Sequence, residues 1–283
     1  MSTLDTKFYK VKVSFLNIII FTMLLVFGVF MIMPFLFAIS TSLKPDKQIW
    51  AYPIVWIPKP FILEHYKRVW ELIPILRLFF NSVFVSSAIT ISQLLISSMA
   101  AYAFARINFF ARDVFLLLIL STMMIPSYIL MVPLYLIIDQ FGLMNSYGAL
   151  IIPSLVSAFS IFLLRQFFLS IPSDLDDAAR IDGCSRLQIL FKIILPLSKS
   201  ALIALSIFVF MGAWNNFLWP LIVISSESMR TLPLALAYFQ VSQSTEWGPL
   251  MAASVIVTLP VLVFFIFAQR QFIQGITLTG IKG

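Results

Sequence analysis

The chain has 283 residues, of which 61% are hydrophobic and 11% are charged, and its mean hydropathy is +1.01. Soluble domains average about 25% charged residues, so this composition excludes an ordinary soluble domain. The net charge of +7 comes without a run of lysines and arginines, which gives no support for nucleic-acid binding, and the single cysteine excludes an intrachain disulfide. We therefore expect an all-α, polytopic membrane protein that forms one transmembrane domain over residues 1–283.

Six charge-poor blocks are each close to or above the roughly 20 residues that one bilayer crossing requires. They cover residues 13–40, 78–105, 114–138, 147–164, 200–226 and 248–268. Six crossings, with core helices over about 78–270, place both termini on one side of the membrane. Twelve of the 19 lysines and arginines then fall on that side, which the positive-inside rule identifies as the cytoplasm. The first block is expected to be an uncleaved helix, and residues 269–283 a cytoplasmic tail.

The remaining features of these blocks concern packing and bending. The second block is dense in serine and alanine, and small residues let membrane helices approach closely, so we expect it inside the bundle. Pro126 and Pro133 predict a bend in the third block.

The long first outer loop, residues 41–77, contains the only histidine, His65. Because the sequence offers it no partner for a metal site or a proton relay, we predict a surface residue and no metal centre.

The only long polar segment between apolar blocks covers residues 173–197, and it is called the coupling stretch below. Ser173 predicts a helix N-cap, with acidic residues following in the first turn where the helix dipole favours them. Gly183 predicts the end of this helix, and a second short helix ends at Pro196. The pattern alone fits either an exposed docking surface or a solvated linker.

Within the coupling stretch, DDAARIDGCSRLQILFKIILPL resembles the EAA loop of ABC importer permeases. That loop forms coupling helices which seat in a cleft of a separate ATP-hydrolysing subunit. The resemblance implies that the contact residues are Asp177, Ala178, Ala179, Asp182, Gly183, Ser185, Leu187, Phe191 and Pro196. Asp177 stands where the family has glutamate, which keeps the charge but shortens its reach.

The fifth block contains GAWNNFLWPLIV, which places Asn215 and Asn216 near its middle. An unpaired amide in hydrocarbon is costly, so both side chains must face another helix or a water-filled path. Two interpretations remain open: a hydrogen bond between helices with aromatic packing, or contact with a sugar, which needs amides and aromatic faces. The run is similar to a segment of carbohydrate permeases. The predicted substrate path consists of Trp214, Asn215, Asn216 and Phe217.

The C-terminal glycines Gly275 and Gly280 have the spacing of a phosphate-binding loop, but Lys282 stands one place late and no helix follows. We therefore predict no nucleotide site, no cofactor and no enzymatic activity in this chain. A tail that ends in Gly-Ile-Lys-Gly resembles maltose-type permeases, whose C-terminus reaches toward the ATPase pair. That resemblance implies contacts by Gly275, Gly280 and Lys282.

Together these resemblances imply a permease subunit of a bacterial, binding-protein-dependent ABC importer for carbohydrate, located in the cytoplasmic membrane. The implied partners are the lipid bilayer, a second permease subunit in a heterodimeric pore, two ATP-binding subunits and an extracytoplasmic solute-binding protein. One alternative is an ion-coupled secondary transporter, but such proteins generally carry ionisable groups within the membrane, and the middles of the six blocks lack charge. Another is an intramembrane enzyme, for which the blocks offer no Ser–His or Asp pair.

Overall fold

The computed structural model describes residues 15–241 and 244–280, and about three quarters of them are helical. The helices are α1 (Phe15–Ser42), α2 (Asp46–Ile49), α3 (Glu64–Leu72), α4 (Ile75–Arg106), α5 (Arg112–Ser121), α6 (Met131–Gln140), α7 (Tyr147–Ile151), α8 (Ala158–Ser170), α9 (Asp174–Ile181), α10 (Arg186–Ile189), α11 (Leu195–Leu197), α12 (Lys199–Trp214), α13 (Leu218–Val223) and α14 (Trp247–Gly280). Two short strands, β1 (Gln240–Val241) and β2 (Ser244–Thr245), form an antiparallel pair. The expected all-α membrane class is confirmed.

The predicted count of six continuous crossings is not confirmed. Three helical segments are long and apolar enough to cross a membrane: Leu16–Ser42, Ile75–Arg106 and Trp247–Ile266. Two further pairs of helices pass the same test only together, and they meet at angles of 43° and 83°. Length and composition therefore give between three and five spans for the part of the chain that the structure describes.

The third predicted block is interrupted rather than merely bent. The helix α5 ends at Ser121, a 3-10 turn covers Thr122–Met124, and α6 begins at Met131. Pro126 lies in the gap, where it lacks an amide hydrogen and forces Ile125 into an extended conformation with φ −85° and ψ 117°. The prediction of one helix over residues 114–138 must be corrected for this reason.

The fifth predicted block is divided into two helices, and the sixth extends beyond its predicted end. The helix α12 ends at Trp214, and residues 215–217 separate it from α13. The last helix, in contrast, continues without interruption to Gly280, so most of the predicted cytoplasmic tail is an extension of α14.

The central helix of the bundle is α4, which packs against both α8 and α12. In the most apolar 18-residue segment of α4, 39% of the residues are buried. The corresponding segments of α1 and of the last helix have 0% and 22% of their residues buried. Its buried face carries small polar residues, including Ser82, Ser86, Ser97 and Ser98, which allow close helix packing. The predicted interior position of the second block is therefore confirmed.

The prediction that His65 is a surface residue was wrong. Its side chain lies at 6% exposure, and Nε2 makes a 2.8 Å hydrogen bond with the backbone oxygen of Lys44. The ring packs directly against Gly248 near the start of α14. Beside it, Arg68 donates to the Glu246 carboxylate at 2.7 Å. These contacts fasten α3 and the first outer loop to the beginning of the last helix.

Candidate functional site

The coupling stretch forms two short helices around a left-handed glycine. Gly183 has φ +79°, a conformation that lacks a steric penalty only for glycine, and its amide donates to the Arg180 carbonyl at 3.0 Å. The next helix starts with a capping box, in which the Ser185 hydroxyl accepts from the Gln188 amide and the Gln188 side chain accepts from the Ser185 amide. The turn at Gly183 is therefore fixed from both sides.

Two local details of the coupling stretch differ from the sequence expectations. Ser173 has helical angles and its side chain makes no capping hydrogen bond; instead its carbonyl accepts from the amides of Asp176 and Asp177. Pro196 does not end the second helix, because the helical run from Arg186 continues to Leu197. A π-helical turn over Leu190–Ile194 precedes the proline, which has no amide hydrogen to offer an earlier carbonyl.

One face of the coupling stretch is packed onto the helix bundle. Ile189, Leu190 and Ile194 are each at most 1% exposed. They form one hydrophobic cluster with Tyr102 of α4 and Phe168 of α8, among other residues. Burying three such side chains stabilises the attachment by about 1.5–3 kcal/mol each. The stretch is therefore a firmly seated part of the bundle rather than a loose linker.

A buried ion pair adds a polar anchor to this packing. Asp176 Oδ2 lies 3.3 Å from Nε of Arg106 at the end of α4, and both side chains are at least nine-tenths buried. Arg106 also donates to the carbonyl oxygens of Phe168 at 2.9 Å and Ile171 at 2.6 Å, and the Tyr102 hydroxyl donates to Asp176. The sequence analysis assigned Asp176 only to the acidic first turn and missed this anchor. Tyr102 and Arg106 at the end of the second apolar block were the available signal.

The opposite face of the coupling stretch presents apolar side chains outside the bundle. Ile181 is 87% exposed, Leu187 61% and Phe191 46%. Of the predicted contact residues only Ala179 is buried; the exposed ones are Asp177, Ala178, Asp182, Gly183, Ser185, Leu187, Phe191 and Pro196. Asp177 pairs with exposed Arg180 at 3.5 Å. The structure therefore leaves eight of the nine predicted residues exposed, and they include both acidic and large apolar groups.

The four residues of the predicted substrate path do not share one surface. Trp214 is 2% exposed and its ring lies between Phe79 and Phe210, so in this conformation it is a packing residue. Asn215 is exposed, whereas Asn216 is half-buried and its Oδ1 accepts from the Trp219 amide at 3.4 Å. Phe217 packs against a buried cluster with Trp219. Asn215 and Asn216 lie in the break between α12 and α13, which the sequence analysis did not predict.

The predicted tail contacts lie partly beyond the part of the chain that the structure describes. Gly275 and Gly280 are residues of α14, whereas Lys282 lies outside the described residues. A continuous helix through both glycines differs from the loop that a phosphate-binding motif requires. Among the described residues, no group of three or more histidine, cysteine, aspartate or glutamate side chains could hold a metal ion.

Comparison with known proteins gives consistent matches over most of the chain. A family model described as "Binding-protein-dependent transport system inner membrane component" matches residues 93–277. The arabinooligosaccharides transport system permease protein AraQ of Halalkalibacterium halodurans is 40% identical over 255 residues, which cover 89% of this chain and 91% of that protein. The sulfoquinovosyl glycerol transport system permease protein SmoH of Agrobacterium fabrum is 36% identical and covers 95% and 94%.

A solved structure shares the fold. A chain from a bacterial ABC transporter involved in the import of the acidic polysaccharide alginate superposes with a TM-score of 0.82 at 24% sequence identity. The match covers 94% of this chain and 100% of that chain. The overall helical fold described above is therefore a known one.

Proposed function

The chain belongs to the inner-membrane components of binding-protein-dependent transport systems, and from this membership we propose that it is a permease subunit of an ATP-driven carbohydrate importer. Relatives named for arabinooligosaccharides and sulfoquinovosyl glycerol support a carbohydrate-containing substrate. In this proposal the chain forms half of a heterodimeric pore, receives substrate from an extracytoplasmic binding protein and performs no ATP hydrolysis itself.

The coupling stretch is the proposed binding surface for the ATPase subunit. The observation that carries this assignment is the exposure of Ile181, Leu187 and Phe191 on a stretch whose opposite face is buried. Large apolar groups that remain exposed together on a polar segment mark a protein interface. The acidic groups of Asp177 and Asp182 flank them and suit a partner surface that carries positive charge.

The same geometry supports a mechanism for coupling. Closure of the ATPase subunits around ATP moves the surfaces on which the coupling stretch rests. Because Ile189, Ile194 and the Asp176–Arg106 pair attach the stretch to α4 and α8, it moves together with these helices instead of bending. The pore then changes between inward-facing and outward-facing states, and ATP and the loaded binding protein bias that equilibrium.

The remaining parts of the proposal concern assembly and orientation. Two copies of the ATPase lie on the cytoplasmic side with the coupling stretch and both termini, as the distribution of lysine and arginine favours. The C-terminal residues Gly275, Gly280 and Lys282 are the proposed second contact with these subunits. The first outer loop and the residues around Glu246 face the solute-binding protein.

A charge reversal at the docking surface tests the coupling role. We expect Asp182→Arg and Gly183→Pro to reduce ATP-driven uptake at least about 10-fold, which corresponds to about 1.4 kcal/mol of lost coupling free energy. The measurement uses the complex purified from its native membrane, reconstituted in liposomes and supplied with labelled lactose, arabinotriose or glycerol 3-phosphate. Uptake per ATP hydrolysed and the retention of the ATPase subunit are both recorded.

Asp139→Arg, at the exposed end of α6, is the matched charge reversal and should leave both quantities unchanged. If the chain purifies without an ATPase subunit and transports any of these solutes without ATP, the importer assignment is wrong. If Asp182→Arg matches the wild type in uptake per ATP and in subunit retention, the importer assignment stands but the docking surface lies elsewhere.

A further inference from the structure

A groove of about 370 Å³ opens on the side of the helix bundle, between α4, the segment before α8, and α12. Its polar lining comes from Gln93, Ser154, Ser157, Ser160 and Asn216. Gln93 lies near the middle of α4, so the groove is far from both ends of that membrane helix.

Two interruptions of the helices meet at this groove. Residues 155–157 separate a 3-10 turn that ends at Ser154 from α8, and residues 215–217 separate α12 from α13. Interrupted backbone at membrane depth is tolerated only where it is buried in protein or lines a water-filled cavity. The groove is therefore not a lipid-facing surface.

The side chain of Gln93 holds the first interruption in place. Its Nε2 donates to the Ser154 carbonyl at 2.7 Å, and its Oε1 accepts from the Ser160 hydroxyl at 3.0 Å. The Ser157 hydroxyl oxygen caps α8 by accepting from the Ser160 amide at 3.3 Å. This arrangement fixes the positions of the polar groups. The hydroxyl hydrogen of Ser157 has no acceptor among the described residues.

Asn216 supplies a second donor on the other side of the groove. Its Oδ1 is occupied by the Trp219 amide, whereas its Nδ2 has no hydrogen-bond partner among the residues that the structure describes. Two aromatic rings, Phe159 at 43% and Phe208 at 45% exposure, border the same space. Amide and hydroxyl donors beside aromatic faces match the hydroxyl groups and C–H faces of a sugar.

Among the described residues that line the groove, none is an aspartate, glutamate, lysine, arginine or histidine. A site for an anionic ligand normally supplies a cationic side chain to pair with the charge, and the N-terminus of α8 at this groove is already capped by the Ser157 hydroxyl oxygen. We propose that this groove is a substrate-contact site for uncharged carbohydrate during its passage across the membrane. The inference rests on the proposed import function and adds to it the location and the charge class of the substrate.

Substitutions of Gly212 test this proposal. Gly212 lies in α12 at the groove, and a Cβ atom there meets nothing within 4 Å. The series Gly212→Ala, Gly212→Val and Gly212→Phe fills the groove progressively, starting from a Cβ position with no neighbouring atom within 4 Å. We expect uptake of lactose or arabinotriose, whichever the wild-type complex transports, to fall stepwise, by at least about 10-fold for Gly212→Phe. ATP hydrolysis stimulated by the binding protein is expected to remain.

The matched control is Gly28 in α1, where a Cβ atom also meets nothing within 4 Å. Gly28→Phe should transport at the wild-type rate. Unchanged uptake in Gly212→Phe would overturn the proposal. So would loss of the partner subunits from the purified Gly212→Phe complex, because the groove would then be a packing surface between subunits. A wild-type complex that takes up glycerol 3-phosphate but neither sugar would overturn the assignment to uncharged carbohydrate and leave the importer assignment standing.

The charge class is tested with two side chains of similar length, Gly212→Met and Gly212→Lys. If the passing substrate is uncharged, both should slow uptake to the same extent, within about twofold. Markedly faster uptake in Gly212→Lys than in Gly212→Met would show that the groove carries an anionic substrate and would overturn the assignment to uncharged carbohydrate.

Discussion

At the scale of single residues, Gly183 sets the angle between the two helices of the coupling stretch. Its φ of +79° puts any other L-residue in the left-handed region, although a Cβ atom there would meet nothing within 4 Å. The constraint is therefore a matter of backbone conformation and not of space. Gly212 offers the opposite case, since it lies inside α12 with a helical backbone, and a Cβ atom there would likewise meet nothing within 4 Å.

This contrast predicts opposite effects for one substitution at the two glycines. Gly183→Ala should lower the free energy of unfolding by about 1–2 kcal/mol, because alanine is strained in the left-handed region. Gly212→Ala should raise it by about 0.5–1 kcal/mol, because alanine is the better helix former. Thermal unfolding of the purified complex measures both, and equal shifts of the same sign would contradict the backbone argument.

At the scale of elements, the junction of α4, α8 and α9 decides whether the coupling stretch transmits force. The Arg106 guanidinium lies between the Asp176 carboxylate and two carbonyls at the end of α8. A buried pair of this kind contributes little net stability compared with an apolar pair, but removing one partner leaves an uncompensated buried charge. The pair therefore specifies one arrangement of the three helices.

We predict that Asp176→Ala destabilises the protein by about 3–5 kcal/mol and lowers uptake per ATP hydrolysed. For stability, Asp177→Ala is the matched control, because this neighbouring acid pairs with Arg180 on the surface and its loss costs less than about 1 kcal/mol. Uptake per ATP is compared with the wild type, because Asp177 belongs to the proposed docking surface. The double variant Asp176→Leu with Arg106→Met should recover part of the stability. A double variant as unstable as the single one would show that the charge pair is not the cause.

At the scale of the whole molecule, the contact between His65 and Gly248 joins the first outer loop to the last helix. A Cβ atom at Gly248 would lie 2.3 Å from the His65 ring, and the ring is held by its hydrogen bond to the Lys44 carbonyl. These residues are 183 positions apart in sequence, so only the folded chain brings them together.

Gly248→Ala is accordingly expected to destabilise the outer end of the bundle, and His65→Ala in the same chain should relieve the clash. The pair should show a coupling free energy of about 0.5–3 kcal/mol in a double-mutant cycle read by thermal unfolding. If the effects of the two substitutions on the free energy of unfolding are additive, the His65 ring and Gly248 do not interact energetically.

The sequence by itself determined the membrane class, the place of the coupling stretch and the turn at Gly183. Long apolar blocks, a single polar interval and a glycine between two helical patterns are local signals, and each reports on its own surroundings. The family resemblance extended this reading to function. The exposed positions of Asp177, Asp182, Leu187 and Phe191 follow from the same local pattern.

Only the tertiary structure decided where buried polar groups find their partners. His65, Asp176 and Gln93 each bond to residues far along the chain, and no periodicity in the sequence encodes such a pairing. The interruption of the fifth block at residues 215–217 was likewise not predicted from the sequence. Hydropathy counts apolar residues along the chain, whereas helix breaks and buried bonds are decided by what packs alongside.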